Sequence, residues 1–201
     1  MYDSKMTLSE VIASLESEVD IASSIPPSSV ARWVSSLEQL IYSDILKFYR
    51  SHDVNLSDER FKISDLTSRS GEAQTTFDDI IKVYDGTDEL VRAGAVAAYQ
   101  FENDKSIYWQ DGENVQVRLF TVSDTLHVIC KVRPKIKDSS SMSDTVKVPF
   151  EWIEMVLSKV RGEAYKIAGD DEQSAKWLND FNTQLESFKA WVNERQRWYG
   201  E

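Results

Sequence analysis

The sequence predicts an α+β protein that is mainly α: a bundle of about four helices with a small antiparallel β insertion in the middle of the chain. Three observations carry this reading. Apolar residues recur at three-and-four spacing towards both ends of the sequence, alternation of period two takes over between them, and Asp85-Gly86 and Asp111-Gly112 punctuate the alternating runs as turns. The 201 residues are expected to form a single domain, 1–201, with N-terminal helices over 7–50 and the β insertion over 61–134. A linker over 138–147 and a C-terminal helical hairpin and tail over 148–198 complete it.

Taken in order, Thr7-Leu8-Ser9-Glu10 has capping-box spacing, and Leu8, Val11, Ile12, Leu15 and Val19 follow as one stripe, predicting a helix from Ser9 to about Ile21. Ile25-Pro26-Pro27 breaks it, and Ser28 or Ser29 caps the next helix. That helix carries a wide stripe of Val30, Trp33, Val34, Leu37, Leu40, Ile41, Ile45 and Phe48, with Ser36, Glu38, Gln39 and Asp44 on the opposite, polar face. Ser51 to Arg60 reads as a polar loop, and Phe61-Lys62-Ile63 as a short strand. Ile80, Ile81, Val83 and Tyr84 run into the first Asp-Gly turn, and a hairpin is expected around the second, from Ile107 to Leu119. Glu89 to Gln100 fits a strand or a helical turn equally. In the last run, Leu126, Val128, Cys130 and Val132 fall on one face and His127, Ile129 and Lys131 on the other.

Lys137 to Asp144 is serine-rich and reads as a mobile connector. Pro149 then suits a first helical turn, and Ile153, Val156, Leu157, Val160, Ala164, Ile167 and Ala168 form the stripe behind it. Gly169 is the left-handed stop, Asp170 and Asp171 cap the next helix, and Ala175, Leu178, Phe181, Leu185, Phe188 and Val192 repeat the pattern.

Composition narrows function. A net charge of −11 weighs against tight binding of duplex nucleic acid. The one cysteine, Cys130, excludes an intramolecular disulfide and a cysteine-built zinc cage. The opening MYDSKMTLSEV has no apolar signal core, and no window reaches the roughly 18 apolar residues of a membrane span, so intracellular synthesis and no membrane partner are expected.

No residue set points to catalysis, to a cofactor or to a metal. His127 and Cys130 lie three apart on a strand and so face opposite ways, and a core Cys130 is the plain reading. His52 has no second His or Cys nearby, and no phosphate-binding glycine motif occurs. Asp170-Asp171-Glu172 is explained by capping, while Asp78-Asp79 has no assigned role. Two candidate protein–protein contacts remain. Lys131, Arg133, Lys135 and Lys137 alternate with apolar residues, which serves an edge strand guarded against aggregation as well as a docking edge for an acidic neighbour. Trp191, Arg195, Arg197, Trp198 and Tyr199 combine the residue types enriched at protein interfaces, although a fraying terminal helix would read the same way.

The chain resembles the head-to-tail connector (adaptor, or neck) proteins of tailed bacteriophages. The resemblance rests on Met6-Thr7-Leu8-Ser9-Glu10-Val11-Ile12 with Ala31-Arg32-Trp33-Val34; on Ile80-Ile81-Lys82-Val83-Tyr84-Asp85-Gly86 with Asp111-Gly112 and Asp124-Thr125-Leu126-His127-Val128; and on Val148-Pro149-Phe150, Ala164-Tyr165 and Gly169-Asp170-Asp171 with the helix after Ala175. It spans nearly the whole chain through patterns of residue type, without a catalytic signature. It implies a non-enzymatic structural virion protein, a homo-oligomer in a ring, usually twelvefold, beneath the portal protein. Such a ring joins the portal to a tail or second neck protein and surrounds the channel through which genomic DNA passes without specific binding. It also implies synthesis in the host cytoplasm and a final place in the virion neck. By position alone it assigns the portal contact to Arg195, Arg197, Trp198 and Tyr199. The competing reading is a cytosolic helical protein–protein interaction module with no virion role.

Overall fold

The computed structural model describes residues 4–20, 24–68, 72–94, 105–119 and 124–198, with side chains as far as residue 195. The chain forms two compact units: Met1–Leu46 joined by Pro134–Glu201, which is helical, and Lys47–Arg133, which is built of strands.

In the helical unit α1 (Leu8–Glu18) begins where the capping box places it. Thr7 Oγ1 accepts from the Glu10 N–H at 3.3 Å, and the Glu10 carboxylate accepts from the Thr7 N–H at 2.6 Å, so two otherwise orphaned donors are satisfied. Helix α2 (Pro27–Leu40) starts at Pro27, a residue ahead of the expected serines, because proline's fixed φ and missing N–H suit a first helical position. Its stripe does not run on as α-helix to Phe48. A π turn, Ile41–Ile45, takes over with Leu46 N–H donating to Ile41 C=O at 2.8 Å, and Lys47 reverses the chain at φ 49°.

A 3₁₀ turn, Phe150–Trp152, follows Pro149 and leads into α3 (Ile153–Ala168). Gly169 ends α3 at φ 75°, and Asp170 Oδ1 caps α4 (Asp171–Trp198) by accepting from the Gln173 N–H at 3.0 Å. The apolar stripe stops short of the turn: Ile167 is 58% exposed and Ala175 is exposed, while Ser174 is buried in Ala175's stead. The helices are in closest approach here. A Cβ on Gly162 would stand 2.7 Å from the Leu178 side chain, and Ser174 Oγ donates to the Gly162 carbonyl at 2.9 Å.

The serine-rich run is tied down, contrary to the mobile connector expected. Lys137 N–H donates to Ser35 Oγ at 2.8 Å, Gln39 Nε2 to Pro134 C=O at 2.7 Å, and the Leu8 and Ser9 N–H groups of the first turn of α1 to the Asp144 and Met142 carbonyls. Serine hydroxyls that bond the local backbone, as Ser141 Oγ does with Asp138 N–H, let such a segment be fixed without apolar bulk.

The sheet unit corrects the expected fold class. Among the described residues it holds eight strands in two four-stranded sheets, so the protein is α+β with a substantial β portion and not a helical bundle with a small insertion. The strands are β1 (Tyr49–Asn55), β2 (Arg60–Lys62), β3 (Ile80–Asp85), β4 (Asp88–Glu89), β5 (Val91–Arg92), β6 (Ile107–Asp111), β7 (Asn114–Arg118) and β8 (Thr125–Lys131). One sheet is ordered β1-β8-β3-β4 and antiparallel; the other is β2-β7-β6-β5, with β5 parallel to β6. The expected loop from Ser51 to Arg60 is mostly β1. Its polar composition hid it, because an edge strand needs few apolar side chains and β1 buries only Val54. The two Asp-Gly turns form as expected, with Gly86 and Gly112 at φ 59° and 62°. Val54, Val83, Leu126 and Val128 of one sheet share a core with Phe61, Tyr108, Val115 and Val117 of the other. Between Glu89 and Gln100 a two-residue strand forms at Val91–Arg92, and residues 95–100 lie outside those described.

Candidate docking site

The feature with interface chemistry lies where α3 begins and α4 nears its end. The 3₁₀ turn after Pro149 aims Trp152 at α4, where its ring meets Phe188 at 5.2 Å and Trp191 at 6.1 Å, both edge-on. Phe188 and Trp191, three apart on one helical face, stack at 5.7 Å and 23°. One turn further on, the Arg195 guanidinium lies over the Trp191 ring at 4.2 Å. Phe188 is fully buried, Trp152 and Trp191 are half-buried, Arg195 is exposed, and Phe150 is 63% exposed. Burial therefore grades from a fixed aromatic base to an exposed rim.

Helix α4 also outruns its partner. At about 1.5 Å per residue its 28 residues extend about 42 Å, against about 24 Å for the 16 of α3. With Trp152 set against Phe188 and Trp191, the helix beyond Val192 passes the start of α3. The structure thus brings Trp191 and Arg195 together, as the sequence grouped them. The side chains of Arg197 and Trp198, and all of Tyr199, lie outside the described residues. Trp152 was missed because its place in the cluster depends on the antiparallel register of two helices. The exposed aromatic directly after Val148-Pro149 was the one signal available.

The basic stripe divides between the two units. Strand β8 ends at Lys131, Pro134 follows, and the four cations divide between the units, Lys131 and Arg133 in one, Lys135 and Lys137 in the other. Arg133 Nη2 donates to Asp79 Oδ2 at 2.7 Å, and that carboxylate also accepts from the Thr76 N–H and hydroxyl, each at 2.8 Å. Asp79 is thereby a structural anchor; neighbouring Asp78 is exposed and pairs with Arg92 at 2.8 Å. Lys135 is exposed and Lys131 half-buried.

Lys137 is only 5% exposed, and its ammonium donates to Glu38 Oε1 at 2.6 Å. Glu38 itself is fully buried, although helical periodicity put it on the polar face of α2. Its carboxylate also accepts from the Lys147 N–H at 2.6 Å. Burial pushes the Glu38 carboxyl above its ordinary value, opposed by the charge and hydrogen bond of Lys137.

His127 and Cys130 face opposite sides of β8: His127 Nδ1 lies 2.8 Å from Asp53 Oδ1, and burial pushes the Cys130 thiol up to about 12. A groove of about 380 Å³ in the sheet unit is lined by Ile63, Gln74, Thr76, Phe77 and Gln110 among others, with Glu113 its one ionisable side chain. The same lining includes the hydroxyls of Ser64, Thr75 and Thr76 and no His, Cys or Lys.

Residues 6–201 match a family model described as SU10 adaptor protein. No curated protein matches the chain.

Proposed function

Because the chain belongs to the SU10 adaptor protein family, a family of phage head-to-tail adaptors, we propose that it assembles as a ring beneath the portal and docks there through the aromatic end of its helical hairpin. The observation that carries this is the Trp152–Phe188–Trp191–Arg195 cluster beside a stretch of α4 that has outrun its partner helix. Half-buried aromatics on a rigid base with an arginine above them give a neighbour large contact area at small loss of side-chain freedom. The hairpin supplies stiffness, since Gly169 closes it tightly and Gly162 allows α3 and α4 to interlock.

In this reading the ring is twelvefold and carries a tail or second neck protein on its far side. It encloses the path of the genomic DNA. A net charge of −11 supports the last point, because an acidic wall repels phosphates and lets the duplex slide without adhering. The protein performs no catalysis and resides in the virion neck.

Electron microscopy of the purified chain mixed with its portal tests the proposal, with rings on the portal as the expected image. Deletion of residues 195–201 is expected to weaken portal binding at least tenfold while the melting temperature stays put, and Trp191→Ala to weaken it as much while also lowering the melting temperature, because its ring packs on Phe188 and Trp152. Free chain beside bare portals, or undiminished binding by both variants, overturns it.

A further inference from the structure

The edge of β1 is the second surface that the fold leaves open. Val132 N–H donates to Phe48 C=O and Leu56 N–H to Asp124 C=O, and the unbroken register between them pairs Arg50 with Cys130, His52 with Val128 and Val54 with Leu126. In an antiparallel pair the inward-bonded residues alternate with outward-pointing ones. Tyr49, Ser51, Asp53 and Asn55 therefore direct their N–H and C=O groups away from β8, and all four residues are exposed. β1 stands at the end of its sheet, so that row has no strand beside it among the described residues.

Such an edge is usually guarded by lysine, proline, a bulge or shortness. β1 is seven residues long, holds no proline or lysine, and pairs without a bulge, whereas the β3–β8 pairing has one. The two charges it carries are drawn off the edge. Arg50 is held by both Glu72 oxygens at 2.5 Å, and Asp53 by His127 at 2.8 Å on the neighbouring strand. The other sheet edges, β2, β4 and β5, are two or three residues long.

We propose that β1 accepts an extended strand from a different protein of the assembly, which adds to the β1-β8-β3-β4 sheet as its next strand. Alternating outward donors and acceptors at strand spacing are satisfied in full only by another extended polypeptide. The described edges of a second copy do not fit: β2, β4 and β5 are too short to match seven residues, and β1 against β1 is a two-fold contact that closes as a dimer, not a ring. The incoming segment lacks proline at alternate positions and places β-branched or aromatic residues beside Tyr49. The inference rests on the adaptor reading, and assigns it a second docking mode independent of the hairpin end.

The test uses phage particles assembled with the full chain. Ser51→Pro removes one outward donor and no bond to β8, as edge positions tolerate; Ser51→Lys restores a guard. Both are expected to leave circular dichroism and melting unchanged and to lower incorporation into particles at least tenfold. A photo-crosslinking residue at position 51 is expected to join an extended segment of another virion protein. Normal incorporation of a folded Ser51→Lys chain, or crosslinks to the same chain only, overturns the edge proposal. Absence of the wild-type chain from particles would instead remove the adaptor reading itself, so the two failures are distinct.

Discussion

Each unit has an apolar core, and the two differ in where they place their buried charges. At the centre of the helical unit Glu38 is fully buried, and one carboxylate receives Lys137 and the Lys147 N–H. Arg161, also buried, donates to Glu18 of α1 at 2.7 Å and lies 4.7 Å over Trp177. In the sheet unit the corresponding centre is Val83, Val115, Leu126 and Val128, all fully buried and with apolar side chains, while its buried carboxylate, Asp79, pairs with Arg133 apart from that cluster and Lys82–Glu89 is exposed. The difference follows from the elements. A strand pair satisfies its backbone internally and needs only apolar faces, whereas the irregular run over 134–148 carries backbone groups that side chains must satisfy.

Substitutions at Glu38 with its partner Lys137, then at Leu126, Gly162 and Lys82, bear on this contrast, from the largest effect to the smallest. Glu38→Leu leaves the Lys137 ammonium buried and alone, which is expected to cost about 3–5 kcal/mol in urea unfolding. Adding Lys137→Met should recover most of it; a double variant as unstable as the single one would show that the pair matters through more than charge. The pH dependence has a definite sign. A carboxyl whose folded value is raised contributes stability that is fully present below the ordinary 4.5 and is lost as pH rises through the raised folded value, and Glu38→Gln should flatten that slope.

Leu126→Ala in the sheet core is expected to cost roughly 2–5 kcal/mol with no partner substitution able to restore it. Trp109 reports on this unit alone, since the other five tryptophans belong to the helical unit. Gly162→Ala should cost about 1–3 kcal/mol, because a Cβ there meets Leu178 at 2.7 Å and the interlock must open; a neutral result would mean that Leu178 swings aside freely. Lys82→Ala, removing an exposed pair of the sheet unit, should leave the unfolding midpoint unchanged. A measurable loss there would blur the contrast.

Much of the site was legible because it depends on local spacing. Trp191 and Arg195 are four apart on one helix, so no knowledge of the rest of the chain was needed to group them. Lys137 shows the opposite. Alternation with Pro134 and Ile136 suggested a surface cation, yet its partner Glu38 is 99 residues away on a face that periodicity marks as polar. β1 was misread for a related reason: its only claim to being a strand is β8 alongside, and seven mostly polar residues carry no trace of that neighbour.

The sequence by itself determined what is settled within a turn of helix or a hairpin: the capping box at Thr7, the Asp-Gly reversals, the alternation of β8, the stop at Gly169, and the pattern that marks an adaptor. The tertiary structure decided the rest: that the strands divide into two sheets over their own core, that the serine-rich run is fastened to α1 and α2, and which charges are buried. Local choices rest on interactions between residues a few positions apart. The long-range ones depend on which backbone and which counter-charge arrive from elsewhere, and a polar residue looks the same in sequence whether water or a buried partner will meet it.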